Sequence, residues 1–152
     1  MKIAGLHKVS LIDFPGRIAA TVFLAGCNLR CAYCHNRWMI EASRAQEALT
    51  RPEFLAWLRT RFGRLDGVCV SGGEPTIHPE LDDLLQAIQG LNLAVKLDTN
   101  GTRPEHLAAL LAKGLVDYIA MDLKAPLDPR YTLVAGAPVD LFATSAWEIL
   151  RR

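Results

Sequence analysis

A chain of 152 residues, 51% hydrophobic and 22% charged, has the length and composition of one compact domain with a single core. Its formal net charge of +1 gives no field to gather a polyanion, which argues against a nucleic acid partner. The longest apolar stretch, residues 18–25 broken by Thr21, is strand-sized and too short to span a membrane, and Met1-Lys2-Ile3-Ala4-Gly5 lacks the apolar run and cleavage signature of a leader, so a cytoplasmic chain with no membrane partner is expected.

Strand-like and helix-like segments alternate along the chain. Residues 17–25 read as a buried strand that ends at Gly26. Thr50-Arg51-Pro52-Glu53 has the form of a capping box with proline near the helix start. Behind it Phe54, Leu55, Trp57, Leu58, Arg61 and Phe62 keep a helical period as far as Gly63. Residues 67–70 are a short apolar run entering Ser71-Gly72-Gly73-Glu74-Pro75. A helix opening at Pro79-Glu80 buries Leu81, Leu84, Leu85 and Ile88 and ends at Gly90. Residues 93–97 form the next strand and lead into Asp98-Thr99-Asn100-Gly101. A second capping box, Thr102-Arg103-Pro104-Glu105, opens a helix carrying Leu107, Leu110 and Leu111 and closing at Gly114. Residues 118–121 make a fourth strand, followed by Asp122-Leu123-Lys124; residues 125–138 read as a loop, and a last helix is expected over 140–150.

Strand, loop and helix in repeated succession predict βαβ units, hence an α/β fold with a parallel sheet and right-handed crossovers. Such sheets bind ligands beyond the carboxyl ends of their strands. The cysteines, the glycine pair, the Asp98 turn and the Asp122 turn each follow a predicted strand, so four separated loops are expected to form one site.

Three of the four cysteines fall within eight positions, at a Cys27-x-x-x-Cys31-x-x-Cys34 spacing, where a disulfide scaffold would spread them to close large loops. A short loop of this kind can take three corners of a [4Fe–4S] cluster and leave the fourth iron for a small molecule. The spacing also admits a zinc knuckle completed by His35, although structural zinc normally draws on two separated ligand pairs. Cys69 lies inside an apolar strand and reads as a core residue. His7, His78 and His106 read as surface or capping residues, and Trp38, Trp57 and Trp147 as packing residues, with Trp38 placed to shield the cysteine loop.

The cysteine spacing with Tyr33 before the last thiol resembles the signature of the radical S-adenosylmethionine (SAM) superfamily. The longer run Ser10-Leu11-Ile12-Asp13-Phe14-Pro15-Gly16, then Gly26-Cys27-Asn28-Leu29-Arg30-Cys31 and Tyr33-Cys34-His35-Asn36, resembles the activating proteins of glycyl radical enzymes, most closely those of anaerobic ribonucleoside-triphosphate reductase. The resemblance runs from about Gly5 to the last helix. It implies one radical SAM domain over residues 1–152, a parallel-stranded partial (β/α) barrel open on one side. Longer members continue with further strand–helix units, which a short or truncated chain lacks.

It further implies a [4Fe–4S] cluster on Cys27, Cys31 and Cys34, with SAM on the open iron and Tyr33 near the adenine. Gly72-Gly73-Glu74 resembles the GGE motif that holds the SAM ammonium, through the Gly73 carbonyl and Glu74. Asp98 and Asp122 would help hold the ribose side or a monovalent cation, Thr99 would belong to the same cofactor-binding set, and Lys124 would neutralise the SAM carboxylate. The implied partners are a glycyl radical enzyme and a flavodoxin or ferredoxin as electron donor. Anaerobic ribonucleotide reductase ranks first, pyruvate formate-lyase or another glycyl radical enzyme second, and a small-molecule substrate third. A non-catalytic iron–sulfur electron carrier or a zinc-binding module is the alternative of another class.

Overall fold

The structure, a computed structural model, describes residues 1–126 and 128–137. The helix expected over 140–150, with Trp147 on it, lies outside the described residues, as does residue 138 at the end of the expected loop. One sheet of five strands organises the rest, in the order β1 (Ile3–Ser10), β2 (Ala19–Leu24), β3 (Gly67–Gly72), β4 (Ala94–Thr99), β5 (Tyr118–Met121). The four expected strands are present, and β2 to β5 run parallel. β1 is an addition: it pairs antiparallel with β2 and covers what would otherwise be an open edge. The result is the α/β fold with a parallel sheet that the alternating pattern predicts, in keeping with the partial barrel the resemblance implies, with one antiparallel strand at its start.

Strand alternation gives the sheet two unlike faces. Val22 and Leu24 on β2, Val68 and Val70 on β3, and Val95 and Leu97 on β4 are fully buried on the helix side. They pack against Phe54 and Leu58 of α2 (Arg51–Arg59), Leu81, Leu84, Leu85 and Ile88 of α3 (Leu81–Gln89), and Leu107 and Leu110 of α4 (Pro104–Ala112). Each such side chain contributes roughly 1.5–3 kcal/mol when removed from water, so this face holds the sheet together.

The opposite face is mixed and carries Thr21, Cys69, Lys96 and Asp98. Its floor is built by the segment between β1 and β2. Phe14 is buried over Gly67, where an added Cβ would lie 2.9 Å from the Phe14 ring, and the ring meets Tyr118 at 6.1 Å between centroids. The Thr21 hydroxyl donates to Asp13 at 2.5 Å and, as the largest influence, holds that carboxyl below its ordinary pKa.

The helices follow their capping signals unevenly. Thr50 and Glu53 form the predicted reciprocal capping box. α2 nevertheless stops at Arg59, short of Gly63, and leaves Phe62 79% exposed. The second predicted box does not form. Its Thr102 hydroxyl donates to Asn100 Oδ1 and accepts from Asn28, so α4 starts without a side-chain cap and Leu111 is exposed. Two short helices were not expected: α1 (Arg37–Ile40) after the cysteine loop, and α5 (Arg130–Ala135) within the segment predicted to be loop.

The floor residue provides a direct test of this packing. Phe14→Ala is expected to lower unfolding free energy by about 3–5 kcal/mol in urea denaturation, because a buried ring and its contacts with Gly67 and Tyr118 are lost. A loss under about 1 kcal/mol would contradict the placement of Phe14.

Candidate functional site

A cavity of about 510 Å³ opens at the carboxyl ends of β2 to β5, and Cys27, Cys31 and Cys34 line it. Gly26 leaves β2 with φ +104°, a left-handed conformation suited to glycine, and swings the chain into the cysteine loop. Neighbouring backbone fixes this loop. Gly26 and Cys27 donate to the carbonyls of Met39 and Ile40 on α1, while Arg30 and Ala32 donate to Ala135 and Val134 on α5. Leu29, Tyr131 and Ala135 form a small core beneath it, against which Cys27 and Cys31 pack. Helix α5 is therefore the underside of the cysteine loop rather than a free connection.

The three thiols are free and half-buried. Burial, the largest cause in each case, pushes the Cys27 and Cys31 thiols above the ordinary thiol pKa. Metal ligation replaces those protons, so loading the site releases them. Among the described residues, no three His, Cys, Asp or Glu side chains converge on one point that would hold a single metal ion. Cys27, Cys31 and Cys34 stand around one cavity, and three thiolates so placed can take three corners of a cubane cluster, so their chemistry and placement fit that group.

Gly72 and Gly73 also line the cavity, and their lack of side chains is sterically required. A Cβ on Gly72 would sit 2.3 Å from Leu24 backbone atoms, and one on Gly73 would sit 2.0 Å from the Gly26 carbonyl oxygen. Backbone bonds from Gly73 to Leu24 and from Glu74 to Gly26, both 2.8 Å, lock this loop onto the start of the cysteine loop.

Glu74 stands differently from the ligand role its motif implies. Among the described residues it is absent from the cavity lining, and it is 0% exposed. Its carboxylate accepts from the Thr76 amide and hydroxyl, the Thr99 hydroxyl at 2.7 Å and the Asn100 amide at 2.6 Å. It ties the β3 and β4 loops together. Asn100 in turn donates to Asn28 at 3.0 Å, and Asn28 donates to Thr102 at 2.6 Å, which joins the cysteine loop to the same network.

Asp98, Thr99, Asp122 and Lys124 all line the cavity, together with Tyr33. Tyr33 is 54% exposed and donates from its hydroxyl to the Lys124 carbonyl at 3.1 Å. Lys124 pairs with Asp122 at 2.7 Å; burial works against its charge, but Asp122 outweighs burial and holds its pKa above the ordinary lysine value. Asp98 is paired with Lys96, a cavity residue that sequence reasoning missed. Its position two residues before Asp98 on one strand was the available signal.

Both carboxylates assigned to a monovalent cation are thus already paired with ammonium groups, so they do not fit that cation. Cys69 is fully buried, as expected of a core residue, and also joins this cluster: its thiol donates to Asp98 at 3.4 Å and lies 3.6 Å from Lys96 Nζ. Trp38 is 52% exposed and lines a second groove together with Cys31, Arg30 and Arg37, so it stands beside the cysteine loop as expected. His78 holds the capping position at the end of the 75–77 turn, and His106 is partly exposed. His78 is buried, and His106 sits between the Thr76 carbonyl and Asp82.

The sequence model of the Radical SAM superfamily matches residues 21–140, which contain every cavity residue named above. The chain belongs to the radical SAM superfamily. Membership implies a [4Fe–4S] cluster and SAM, which agrees with the three thiols at the mouth of the sheet.

A Methanocaldococcus jannaschii protein named as a glycyl-radical enzyme activating enzyme is 36% identical over 128 residues, 83% of this chain and 51% of its own length. The pyruvate formate-lyase-activating enzyme of Clostridium pasteurianum is 31% identical over 139 residues, 89% of this chain and 57% of its own. The chain spans about half the length of these curated relatives. Among solved structures, Streptococcus suis SuiB bound to precursor peptide SuiA matches with a TM-score of 0.58 at 22% identity, over 85% of this radical SAM chain and 28% of SuiB, a likeness of fold. No helix among the described residues is long and apolar enough to cross a membrane.

Two outcomes test the site. Glu74→Gln is expected to lower the stability of the cluster-free chain by about 2–5 kcal/mol in urea, since an amide nitrogen cannot accept the hydrogen bonds now made to a buried carboxylate. A residue acting only on ligand would leave that stability unchanged.

Burial, the first cause, raises the Cys69 pKa to about 12. The unfolded thiol ionises near about 8.5. Across that window the unfolded chain gives up a proton that the folded chain keeps, so stability falls as pH rises, by up to about 1.4 kcal/mol per pH unit. Between about pH 9 and 10 the Cys69→Ala variant should lose stability less steeply than the parent; equal slopes would contradict the buried neutral thiol.

Proposed function

We propose that this chain is the catalytic core of a glycyl radical enzyme activase. The observation that carries this reading is the trio Cys27, Cys31 and Cys34 around one cavity at the carboxyl ends of a parallel sheet, in a radical SAM chain. Support for the activase class comes from the likeness to the Methanocaldococcus jannaschii and Clostridium pasteurianum proteins, whose names carry that activity.

Cys27, Cys31 and Cys34 hold the cluster as thiolates. When bound, the reduced cluster supplies the electron that splits SAM into methionine and a 5′-deoxyadenosyl radical, the species that takes a hydrogen atom from a glycine Cα. The chain's own residues bind, orient and enclose. Gly73 lines the cavity and its carbonyl serves as the acceptor for the SAM ammonium, while Glu74 holds the loop that carries it. Asp98, Thr99 and Asp122 lie along the same wall for the ribose side. Lys124, with its charge retained by Asp122, meets the SAM carboxylate, and exposed Tyr33 offers a ring for the adenine. Leu29 and Tyr131 keep water from beneath the cluster.

The macromolecular substrate presents its glycine at the open strand ends. Anaerobic ribonucleoside-triphosphate reductase is the first partner, on the resemblance of residues 10–16 and 26–36 to its activating proteins. Pyruvate formate-lyase is the second reading, favoured by the 31% identity to the Clostridium pasteurianum enzyme. Flavodoxin or ferredoxin serves as the donor, and the reaction takes place in the cytoplasm.

The experiment is anaerobic reconstitution with iron and sulfide, followed by dithionite and SAM with each partner in turn. The expected products are 5′-deoxyadenosine and a glycyl radical EPR doublet on the reductase, with both lost in Cys31→Ala. 5′-Deoxyadenosine with a doublet only on pyruvate formate-lyase would move the assignment to the second partner. A loaded cluster that never releases 5′-deoxyadenosine would overturn the enzymatic reading.

A further inference from the structure

Lys96 and Asp98 stand two residues apart on β4 and share the face turned into the cavity. Lys96 is 7% exposed, deep enough that an unpaired ammonium would be costly. Its partner is the Asp98 carboxylate, in direct ion-pair contact. Directly across the ladder on β3, Cys69 is the register partner of Lys96 and places its sulfur 3.6 Å from the ammonium. Tyr118 on β5 pairs with Lys96 on the other side, and the Asp13 charge below adds to the same negative surroundings.

We propose that the Lys96 ammonium is the resident counter-ion of Asp98, so that this chain binds SAM without a monovalent metal cation. The inference rests on the reading that SAM occupies this cavity. Three physical points support it. The ammonium is tethered to β4 and cannot exchange with solvent ions, unlike sodium or potassium. The second carboxylate of the wall, Asp122, has its own lysine at 2.7 Å, so each acid along it is matched by a base. A metal cation brought to Asp98 would have to sit within a few ångströms of a buried ammonium, where like charges repel strongly. An ammonium also has three N–H donors. Asp98 and Cys69 take two of them, which leaves one for an anionic oxygen of a ligand in the cavity that Lys96 lines.

The test compares potassium, sodium and choline chlorides at equal ionic strength. One arm measures the melting temperature of the cluster-free chain, and the other measures SAM affinity of the reconstituted chain by equilibrium dialysis. The parent is expected to melt within about 2 °C in all three salts and to bind SAM with affinities within about twofold of one another. Lys96→Met keeps the length of the side chain but leaves Asp98 uncompensated. In choline it should melt lower and bind SAM at least about tenfold more weakly, with potassium or sodium restoring both. Lys96→Gln repeats the comparison if the methionine variant folds poorly.

Stabilisation of the parent by potassium or sodium but not choline would overturn the proposal, as would variants that respond to no cation. A loaded chain that binds SAM in none of the salts would defeat the cofactor reading instead, and the melting arm would still decide the role of Lys96.

Discussion

The carboxylate of Glu74, fully buried and accepting hydrogen bonds from Thr76, Thr99 and Asn100, is the constraint on which the mouth of the sheet depends. A charge without water at that depth is tolerable only if its lone pairs are occupied, and the donors that occupy them lie on two different loops. The β3 and β4 loops therefore cannot move apart without exposing an uncompensated charge. The Glu74 amide extends the tie to Gly26, and Asn100 extends it to Asn28, both in the cysteine segment. Three stretches of chain, each separated from the next by a helix or longer, are held as one rim. The glycine pair belongs to the same construction, because any side chain on Gly73 would overlap the Gly26 carbonyl and push the rim open.

Beneath that rim the sheet separates its tasks by face. The helix side is filled by aliphatic residues of β2, β3 and β4 against α2, α3 and α4, and supplies the stability. The cavity side tolerates Lys96, Asp98 and Cys69 because they satisfy one another across neighbouring strands. The charged groups and the cavity lie towards the carboxyl ends of the strands, while Phe14 packs against Tyr118 and over Gly67 at the other end of the sheet.

Much of this was legible in the sequence where the signal is local. The Cys27, Cys31 and Cys34 spacing, the strand run 17–25 and the Thr50 capping box each depend on residues within a few positions: the three thiols share one cavity, the strand forms over the shorter Ala19–Leu24, and the box closes. What was not legible depends on partners distant in the chain. β1 has a broken apolar pattern, with Gly5 and His7-Lys8 inside it, and becomes a strand because β2 offers an edge to pair with. The Thr102 box has the right letters, but its hydroxyl is drawn to Asn100 and Asn28 instead. Glu74 resembles a ligand-binding residue, yet its side chain is consumed by the loops around it. Lys96 was overlooked because its importance arises only when Cys69, 27 positions earlier, lies opposite.

The most direct test of the central claim is the EPR spectrum of the reduced, anaerobically reconstituted chain recorded with and without SAM. On the proposed reading Cys27, Cys31 and Cys34 hold three irons and leave the fourth open, so SAM should change the g-values of a [4Fe–4S]⁺ signal that is absent in Cys27→Ala, Cys31→Ala and Cys34→Ala. A well-loaded cluster whose spectrum SAM leaves unaltered, or a chain that takes up zinc and no iron–sulfur cluster, would contradict the account.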